Sequence, residues 1–529
     1  MKRILIGGAW PYANGSLHIG HIAALLPGDV LARYWRLKGA DVYYVSGSDC
    51  HGTPITVRAQ QEGKSPQEIS SHYHSEFKEV FSRLGFSYDL YTRTSSEAHR
   101  TFVTAFHKKL YQSGYVQERE VCQAWCPACE QAVTDRQMIG FCPQCGEPTR
   151  GDQCDACGEV LEADSIVDAR CVQCHTALQF RQTRQLYLLV SRLENELTAF
   201  LSTHPNWRRN AVAFTRRYLD EGLRDRAITR DLNWGIEVPR EGYESKRIYI
   251  WAENVLGYLS ACSEVCRERG TSLESVYGSN AFHYYVHGKD NIPFHTIILP
   301  ALLLAHGGGW RLPDEIISSE YMTLEGSKIS TSRHHAVWAL DLLNRFEPDP
   351  IRYFFLINGP EKRDTDFSWR EFAERNNAEL VGIWGNFVNR TLAFIVKYLD
   401  SRIPDGKPEE ALTTLTEEVF CTAGTAIETG RFKDALHAIF DLIRHGNRLY
   451  DARQPWKTRT ADPADCAQTL YACTWLIGNL AELFLPFLPF SSQKVLAWLN
   501  LPAEWGVQTP EPGAKLEAPS LLFTRIEIS

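Results

Sequence analysis

The fold is decided by residues 3–52, which read RILIGGAWPYANGSLHIGHIAALLPGDVLARYWRLKGADVYYVSGSDCHG. Residues 4–8 (ILIGG) predict a short buried strand that runs into a glycine-containing loop. In residues 17–39 apolar side chains recur at steps of three and four, which predicts a helix. Residues 41–52 predict a second strand that ends in a polar loop. This order predicts a doubly wound α/β domain, whose ligands bind in loops at the carboxyl ends of parallel strands.

The α/β pattern is interrupted and then resumes. Residues 116–180 break it and therefore predict an insertion. Residues 246–254 (KRIYIWAEN) and 281–290 (AFHYYVHGKD) each predict a strand followed by a polar loop. From about residue 373 onward, amphipathic segments predict helices, and residues 521–529 (LLFTRIEIS) predict a small final strand. The expected fold class is a Rossmann-type doubly wound parallel sheet, split by the insertion and followed by an all-α region.

Composition and charge indicate an ordinary globular protein. The chain has 529 residues, of which 44% are apolar and 23% are charged, close to average usage. Its longest apolar stretch is about half the length that a bilayer span needs, and its N-terminal apolar run is too short for a signal peptide. We therefore expect a soluble, cytoplasmic protein with no membrane partner. The net charge of −8 counts against a general nucleic-acid coat protein.

The cysteines give the strongest chemical signal. Four CxxC pairs fall within a short stretch, in the frames CPAC, CPQC, CDAC and CVQC. Eight thiolates match two tetrahedral Cys₄ zinc sites, which have no open position and would be structural. Disulfides are the alternative, but a cytoplasmic chain disfavours them. The spacing allows sequential or nested pairing of Cys126, Cys129, Cys142, Cys145, Cys154, Cys157, Cys171 and Cys174.

Two further motifs point to phosphate chemistry. His18, Gly20 and His21 open the first predicted helix, where unpaired N–H groups and the helix dipole favour an anion. The two imidazoles add donors for a phosphoryl group, and Gly20 lets a base or ribose approach the backbone. Residues 326–332 (GSKISTS) place Lys328 and several hydroxyls in a glycine-flanked loop, which suits a developing pyrophosphate. Either motif alone would fit an ordinary surface element.

Together the two motifs resemble the HIGH and KMSKS elements of class I aminoacyl-tRNA synthetases. With GSDCHGTPI, RGDQCDACG, RAITRDLNWG, GKDNIPFH, GNFVNR and QPWK in the same order, nearly the full chain resembles the methionyl-tRNA synthetase family, of the archaeal/eukaryotic-like type. The resemblance implies a catalytic domain in two halves (1–115 and 236–325), a connective insertion (116–235, with zinc knuckles at about 122–178), a KMSKS-like loop with a stem-contact segment (326–372), and a helical anticodon-binding domain (373–529).

The resemblance also implies a reaction and its partners. Methionine would attack the α-phosphate of ATP·Mg²⁺, giving methionyl-adenylate and pyrophosphate, and the terminal adenosine of tRNA(Met) would then accept the methionyl group. Relatives with one zinc keep either the inner or the outer knuckles. This implies nested pairing of two structural Zn²⁺ sites. The chain ends soon after the helical bundle, without the extra domain through which some relatives dimerise, so we expect a monomer.

The residue roles implied by the resemblance fall into four groups. The catalytic group is His18, His21, Arg230 and Lys328. The further ATP-binding residues are Asn14, Gly20, Lys289, Asp290, Ser330, Thr331 and Ser332. The methionine pocket is lined by Ala9, Trp10, Tyr12, Asp49, Trp251, Asn254, Tyr258, Asn291 and His295, with Asp49 on the α-amino group. The anticodon readers are Asn386, Arg390 and Trp456, although a lone tryptophan is more often a core residue.

The chain departs from the family pattern at three places. Thr331 stands where many relatives have a second lysine, so Lys328 is expected to carry the charge. Trp10 stands where a leucine usually lines the methionine side chain, and Asn254 replaces a small residue. Because close-packed pockets resist added volume, either Trp10 turns outward or the pocket is reshaped. An Asn254 amide without a partner would add a desolvation cost.

Two other functions remain open from the sequence. One is an adenylate-forming paralogue that serves a non-tRNA acceptor, against which the anticodon-type residues argue. The other is a non-catalytic RNA-binding relative, against which the histidine pair, Asp49 and Lys328 argue. Methionine is the preferred substrate because Trp251, Tyr258 and His295 are all present.

Overall fold

The computed structural model describes residues 2–133, 137–150, 156–157, 163–329, 335–517 and 519–527. Its α-helices are Ile19–Leu37, Thr53–Glu62, Pro66–Arg83, Glu97–Leu110, Glu194–Ser202, Arg209–Asp220, Ile250–Asn254, Gly257–Glu268, Leu273–Val276, Leu299–His306, Ala339–Arg345, Pro348–Ile357, Trp369–Arg375, Asn386–Tyr398, Glu410–Glu428, Phe432–Arg453, Pro455–Ala461, Pro463–Phe484 and Pro489–Leu499, and Phe294–Ile298 and Asn376–Gly385 are π-helical. Within the described ranges, no helix is long and apolar enough to cross a membrane.

The part of the chain that the resemblance predicts to be catalytic is built on a five-stranded parallel sheet. Its strands lie in the order Glu315–Ser319, Ala281–Gly288, Arg3–Gly8, Asp41–Ser48 and Leu90–Arg93. From the first strand, Arg3–Gly8, the next two strands in the chain are added on one side. The last two, Ala281–Gly288 and Glu315–Ser319, are added on the other side. In such a sheet the ligand crevice lies at this switch point, outside the carboxyl ends of the strands. The predicted doubly wound fold is confirmed.

Both faces of this sheet are buried, as a parallel sheet requires. Ile4 and Ile6 belong to the core shared with the helix Ile19–Leu37, whereas the side chain between them, Leu5, belongs to the second core. The period-two alternation of a strand explains this division. An uninterrupted apolar run is therefore what this position in the fold demands.

The helical bundle shares the first core with the part that contains the parallel sheet. Buried Asp29, on the helix Ile19–Leu37, pairs with the buried guanidinium of Arg352 at 2.7 Å. Arg352 also donates to the carbonyls of Leu84, Pro486 and Phe487 at 2.8–3.1 Å. Since these carbonyls come from both parts of the chain, the contacts fix the bundle against the sheet.

The insertion leaves the sheet after its edge strand. Its main element is an antiparallel ribbon of Val116–Cys126 and Gln179–Leu188, extended by Gln131–Ala132 and Arg226–Ala227. A second, three-stranded sheet consists of Pro148–Arg150, Met138–Phe141 and Val167–Cys171. Beyond the insertion, a small sheet joins Ser327–Lys328, Met322–Leu324 and Thr365–Phe367.

Two predicted strands are wrong. In residues 246–254 only Arg247–Ile248 pairs, antiparallel to Thr229–Arg230, and the chain then enters the helix Ile250–Asn254. Periodicity cannot separate a strand from a helix in so short an apolar run. Residues 519–527 form no strand. Instead, the Asn377 side chain takes both backbone groups of Ile526, with its Nδ2 donating at 2.8 Å and its Oδ1 accepting at 2.9 Å.

Candidate active site

The two histidines form the N-terminal cap of the helix Ile19–Leu37 at the switch point. His18 Nδ1 accepts from the backbone N–H of Gly20 at 3.1 Å, and His21 Nδ1 accepts from the backbone N–H of His18 at 3.1 Å. Burial lowers the pKa of His18 to about 4, and burial together with the neighbouring His18 lowers the pKa of His21 to about 3. Both rings are therefore neutral at physiological pH, and each carries its proton on Nε2 as a donor.

Gly20 brings the two sequence motifs together. A Cβ built there would lie 2.9 Å from the His18 ring and 3.8 Å from Ile329 Cδ1. Ile329 immediately follows Lys328, so the start of the lysine loop lies beside the capped helix. Any side chain at position 20 would therefore displace the His18 ring. Ser330, Thr331 and Ser332 lie outside the described residues.

The GKD segment lies at the carboxyl end of the strand Ala281–Gly288. Lys289 Nζ pairs with Glu320 at 2.8 Å and with Asp364 at 2.9 Å. Asp290 accepts a hydrogen bond from the hydroxyl of Tyr321. No sequence motif identifies Tyr321 as a site residue, because an isolated tyrosine before a loop carries no signal.

Asp49 is almost fully buried at the carboxyl end of the second sheet strand. Its backbone N–H donates to Pro11 O at 2.8 Å and its carbonyl accepts from the N–H of Ala13 at 2.8 Å. These bonds tie the loop that carries Tyr12 to the carboxylate. Burial, and then the nearby Glu253 carboxylate, raise the pKa of Asp49 well above its usual range. A bound ammonium group would relieve that cost.

The side-chain amide of Asn254 is not left without a hydrogen-bond partner. Its Nδ2 donates to Asp49 Oδ2, so the amide is paired with the carboxylate and carries no cost as an unpaired group. Next to it, fully buried Glu253 accepts from His51 Nδ1 at 2.6 Å. Burial alone would lower the pKa of His51, but the Glu253 carboxylate outweighs it and raises this pKa. The pair His51–Glu253 was missed because the two residues are far apart in sequence.

The aromatic side of the pocket is a hydrogen-bonded stack. Tyr258 Oη bonds His295 Nε2 at 2.8 Å, and His295 Nδ1 bonds the carbonyl of Asn291 at 2.8 Å. This second bond places the His295 proton on Nδ1, so the tyrosine hydroxyl is the donor. His287, also missed from the sequence, stacks on His295 with 4.2 Å between ring centroids. The predicted residues Asn291, Tyr258 and His295 therefore form one unit.

Trp10 does not turn outward. Only 7% of it is exposed, and its indole is wedged between two glycines. A Cβ at Gly47 would lie 2.6 Å from the Trp10 ring, and a Cβ at Gly257 would lie 2.7 Å from it. The ring meets Tyr258 edge to face at 6.4 Å. The absence of side chains at these two glycines thus accommodates the extra volume.

The remaining predicted residues lie along the same loops. Ala9 donates through its N–H to Val286 O at 2.9 Å, which ties it to the neighbouring strand. The backbone N–H of Asn14 donates to the carbonyl of Tyr12 at 2.9 Å, and Tyr12 is 43% exposed. Trp251 meets the Tyr249 ring edge to face at 6.0 Å. The guanidinium of Arg230 lies over the same Tyr249 ring, 4.5 Å from its centroid.

The cysteines form two groups in nested order. The Sγ atoms of Cys126, Cys129, Cys171 and Cys174 all lie within 4.8 Å of one another, as do those of Cys142, Cys145 and Cys157. Cys154 lies outside the described residues. The Sγ separations include 3.3 Å and 3.5 Å in the first group and 3.8 Å in the second. A tetrahedron with Zn–S bonds of about 2.3 Å has S–S edges of about 3.8 Å, so the thiols fit Zn²⁺.

The helical bundle holds the three predicted anticodon residues on one surface. Arg390 pairs with Asp451 at 2.7 Å and lies 4.3 Å from the ring centroid of Tyr450. The same ring lies 5.8 Å from that of Trp456. Asn386 lies one helical turn before Arg390 and is exposed. Because 48% of Trp456 is exposed, it is not a core residue.

Comparison with known proteins agrees with this geometry. A parallel sheet with a histidine-capped helix at its switch point and a lysine loop beside it defines a class I aminoacyl-tRNA synthetase. Residues 4–392 match the family described as "tRNA synthetases class I (M)", and residues 403–528 match "Anticodon binding domain of methionyl tRNA ligase". The chain belongs to the methionyl-tRNA synthetase family.

Curated relatives cover almost the whole chain. Methionine–tRNA ligase 1 of Alkaliphilus oremlandii is 49% identical over 527 residues, and methionine–tRNA ligase of Bacillus cereus (strain B4264) is 48% identical over 529 residues. Each alignment covers 99% of this chain and 97% of the relative. The activity is therefore that of an ATP-dependent methionine–tRNA ligase. Because these relatives are bacterial, the expected archaeal/eukaryotic-like type is not supported.

A solved structure shares the fold. Mycobacterium tuberculosis methionyl-tRNA synthetase, in complex with methionyl-adenylate, superimposes with a TM-score of 0.83 at 23% identity. The match covers 99% of this chain and 100% of that one. The predicted split Rossmann sheet and helical anticodon domain are confirmed.

Proposed function

We propose that His18 and His21 stabilise the phosphates of ATP while methionine attacks, and that Lys328 takes the pyrophosphate. The observation that carries this proposal is the pair of Nδ1 acceptors, which leaves two Nε2–H donors at a helix N-terminus. A carboxylate is already a nucleophile, so the step needs little proton transfer. Positioning and charge stabilisation supply most of the acceleration. Arg230 supports the same phosphates, and Mg²⁺ enters with ATP.

This assignment predicts a flat pH profile. Because the pKa values of His18 and His21 are about 4 and 3, both rings stay neutral as the pH falls from about 8 to 5.5. We expect kcat for pyrophosphate exchange, at saturating methionine and Mg·ATP, to change less than twofold through the ordinary histidine range near pH 6.5. A step through an ordinary histidine pKa that disappears in His21→Gln would contradict neutral imidazoles.

For the amino acid we propose that Asp49 binds the α-ammonium group, with Asn254 fixing its second oxygen. Support comes from the burial of the carboxylate and its bond from Asn254. Tyr258 and His295 present a preorganised aromatic wall to the methionine side chain, and Trp10 packs behind Tyr258. Ala9, Tyr12, Trp251 and Asn291 complete the pocket. Asn14, Gly20, Lys289 and Asp290 are assigned to ATP, together with Ser330, Thr331 and Ser332.

We propose that Asn386, Arg390 and Trp456 read the anticodon of tRNA(Met). Trp456→Ala should lower tRNA charging at subsaturating tRNA by about 5- to 150-fold, the effect of one base–aromatic stack worth about 1–3 kcal/mol. Pyrophosphate exchange should stay within twofold. Tyr398→Ala, which removes another exposed aromatic ring of the same domain, serves as the control. Parallel loss of both activities in Trp456→Ala would mean that the ring supports the fold instead.

We propose two structural Zn²⁺ ions, one held by Cys126, Cys129, Cys171 and Cys174, and one held by Cys142, Cys145, Cys154 and Cys157. Closed thiolate sites of this kind cross-link loops that have little core of their own. The insertion fits this description, because its own buried cluster is small.

Metal analysis tests the zinc proposal without reference to activity. The purified chain should contain about two Zn²⁺, one per closed four-thiolate site. Cys129→Ser should lose about one of them and expose the insertion to protease. Cys421→Ser, at an exposed thiol on a bundle helix, should retain both. A wild-type zinc content well below one would count against the proposal.

The remaining expectations also stand as proposals. The domain division drawn from the sequence stays a proposal: the two family matches end at residue 392 and begin at residue 403, later in the chain than the proposed start of the anticodon-binding domain at residue 373. A monomeric state and a cytoplasmic location stay predictions; sedimentation at dilute concentration checks the first, with a mass near 60.2 kDa expected. Charging of a tRNA transcript with a CAU anticodon, in the presence of methionine and ATP, tests the whole assignment against the two alternative functions.

A further inference from the structure

We propose that Tyr321 is a positioning residue for adenylate formation, which holds the carboxylate Asp290 and the loop lysine Lys328 in one arrangement. The proposal rests on the roles proposed above for Asp290, at the ribose, and Lys328, at the pyrophosphate. Tyr321 itself lies between the sheet strand Glu315–Ser319 and the short strand Met322–Leu324. It therefore stands where the carboxyl edge of the main sheet passes into the lysine loop.

The hydroxyl of Tyr321 contacts one oxygen of Asp290. The phenol donates to Asp290 Oδ1, and this bond raises the pKa of Tyr321 to about 12, so the phenol keeps its proton at neutral pH. Because Asp290 Oδ1 accepts from Tyr321, the second oxygen of Asp290, Oδ2, is available to accept from a ribose hydroxyl. A carboxylate held in this way loses less rotational freedom when it binds a nucleotide.

The ammonium groups of two lysines lie over the ring of Tyr321. Lys289 Nζ lies 3.8 Å from the ring centroid and Lys328 Nζ lies 5.7 Å from it, both within the range of a cation–π contact. Lys289 is neutralised by its two carboxylate partners. In the described part of the chain, Lys328 has no carboxylate within 4.0 Å. Lys328 is thus the charge that remains free for an incoming phosphate.

The backbone of Tyr321 is fixed from a different element. Its N–H donates to Asp364 Oδ1 at 2.9 Å, and its carbonyl accepts from the N–H of Thr365 at 3.0 Å. Lys328 in turn pairs with Thr323, two residues after Tyr321. The ring is therefore an anchored surface against which the loop lysine lies before the substrate arrives. One side chain couples the ribose side of the site to the pyrophosphate side.

The test separates the hydroxyl from the ring. Tyr321→Phe keeps the ring and removes the bond to Asp290. We expect its KM for ATP in methionine-dependent pyrophosphate exchange to rise about tenfold, the effect of losing one hydrogen bond to a charged group, with kcat within twofold. The preference for ATP over 2′-deoxy-ATP or 3′-deoxy-ATP should fall by a similar factor for the ribose hydroxyl that Asp290 binds. A merely structural tyrosine would not alter this preference.

Tyr321→Leu removes the ring as well. Because Lys328 then loses its support, we expect kcat to fall about tenfold or more in addition to the KM change. Thr323→Val is the matched control, since it deletes another hydroxyl–carboxylate bond, to Asp366, in the same small sheet. It should leave the ATP-to-deoxy-ATP preference unchanged.

Three results would contradict the proposal in whole or in part, and they differ in which assignment they remove. If Asp290→Asn abolishes the nucleotide preference but Tyr321→Phe retains it fully, the role of Tyr321 is wrong and that of Asp290 stands. If Asp290→Asn retains the preference, the ribose assignment fails and this inference fails with it. An unchanged kcat in Tyr321→Leu would remove the part assigned to the ring.

Discussion

Lys328→Ala is expected to slow the formation of methionyl-adenylate by about 10²–10³-fold, because it removes a preorganised donor that acts where charge develops in the transition state. The described part of the chain offers no second lysine in this loop, and Lys328 has no carboxylate partner there that neutralises it. Lys289, which contacts the same Tyr321 ring, is paired with Glu320 and Asp364 and is not ready to replace this charge. Single-turnover adenylate formation with the purified variant measures the effect.

The affinity for methionine distinguishes this role from a general disturbance of the site. Methionine binding, measured by calorimetry without ATP, should be unchanged in Lys328→Ala, because the lysine acts on the pyrophosphate. Lys328→Arg retains the charge and should recover a large part of the rate. An equal loss in ground-state methionine affinity would show that Lys328 supports the pocket instead.

Asp49→Asn is expected to raise the KM for methionine by about 10²-fold or more, since the α-ammonium group would lose a buried, hydrogen-bonded carboxylate. The KM for ATP should change little. The wild-type enzyme should also bind methionine more weakly in acid, because the pKa of Asp49 is raised. Protonation removes the charge that the ammonium needs, so binding strengthens as the pH rises through this pKa.

Two ligands isolate the contact with Asp49. Methioninol keeps the ammonium group and should lose affinity for Asp49→Asn as strongly as methionine does. The desamino analogue of methionine lacks the ammonium group and should bind wild type and variant equally. Asn254→Ala should give a smaller effect of the same sign, because it frees one oxygen of Asp49. Equal loss of affinity for all three ligands would point to a collapsed pocket.

The sequence predicts much of the fold because local patterns specify it. Apolar runs predict the buried strands Arg3–Gly8 and Ala281–Gly288, and apolar residues at steps of three and four predict the helix Ile19–Leu37. Where the local pattern is ambiguous, tertiary contacts decide. The Asn377 side chain takes up the backbone groups of Ile526 that a final strand would have used.

The site is predictable only where a motif names it. His18 and Lys328 can be found in this way. The neutral state of the His18 imidazole and the contact of Lys328 with the Tyr321 ring depend on packing that the motifs do not specify. Trp10 shows the limit most clearly, because the space for its ring comes from Gly47 and Gly257, which are far from it in sequence. No pattern around Trp10 carries that information.

Amino-acid-dependent ATP–pyrophosphate exchange across all twenty amino acids tests the central claim most directly. The claim is that the switch-point site activates methionine through the Asp49 carboxylate and the Tyr258–His295 pair. We predict rapid exchange with methionine alone, slowed about 10²–10³-fold in Lys328→Ala. Faster exchange with another amino acid, or no exchange with any of the twenty by a correctly folded protein, would contradict it.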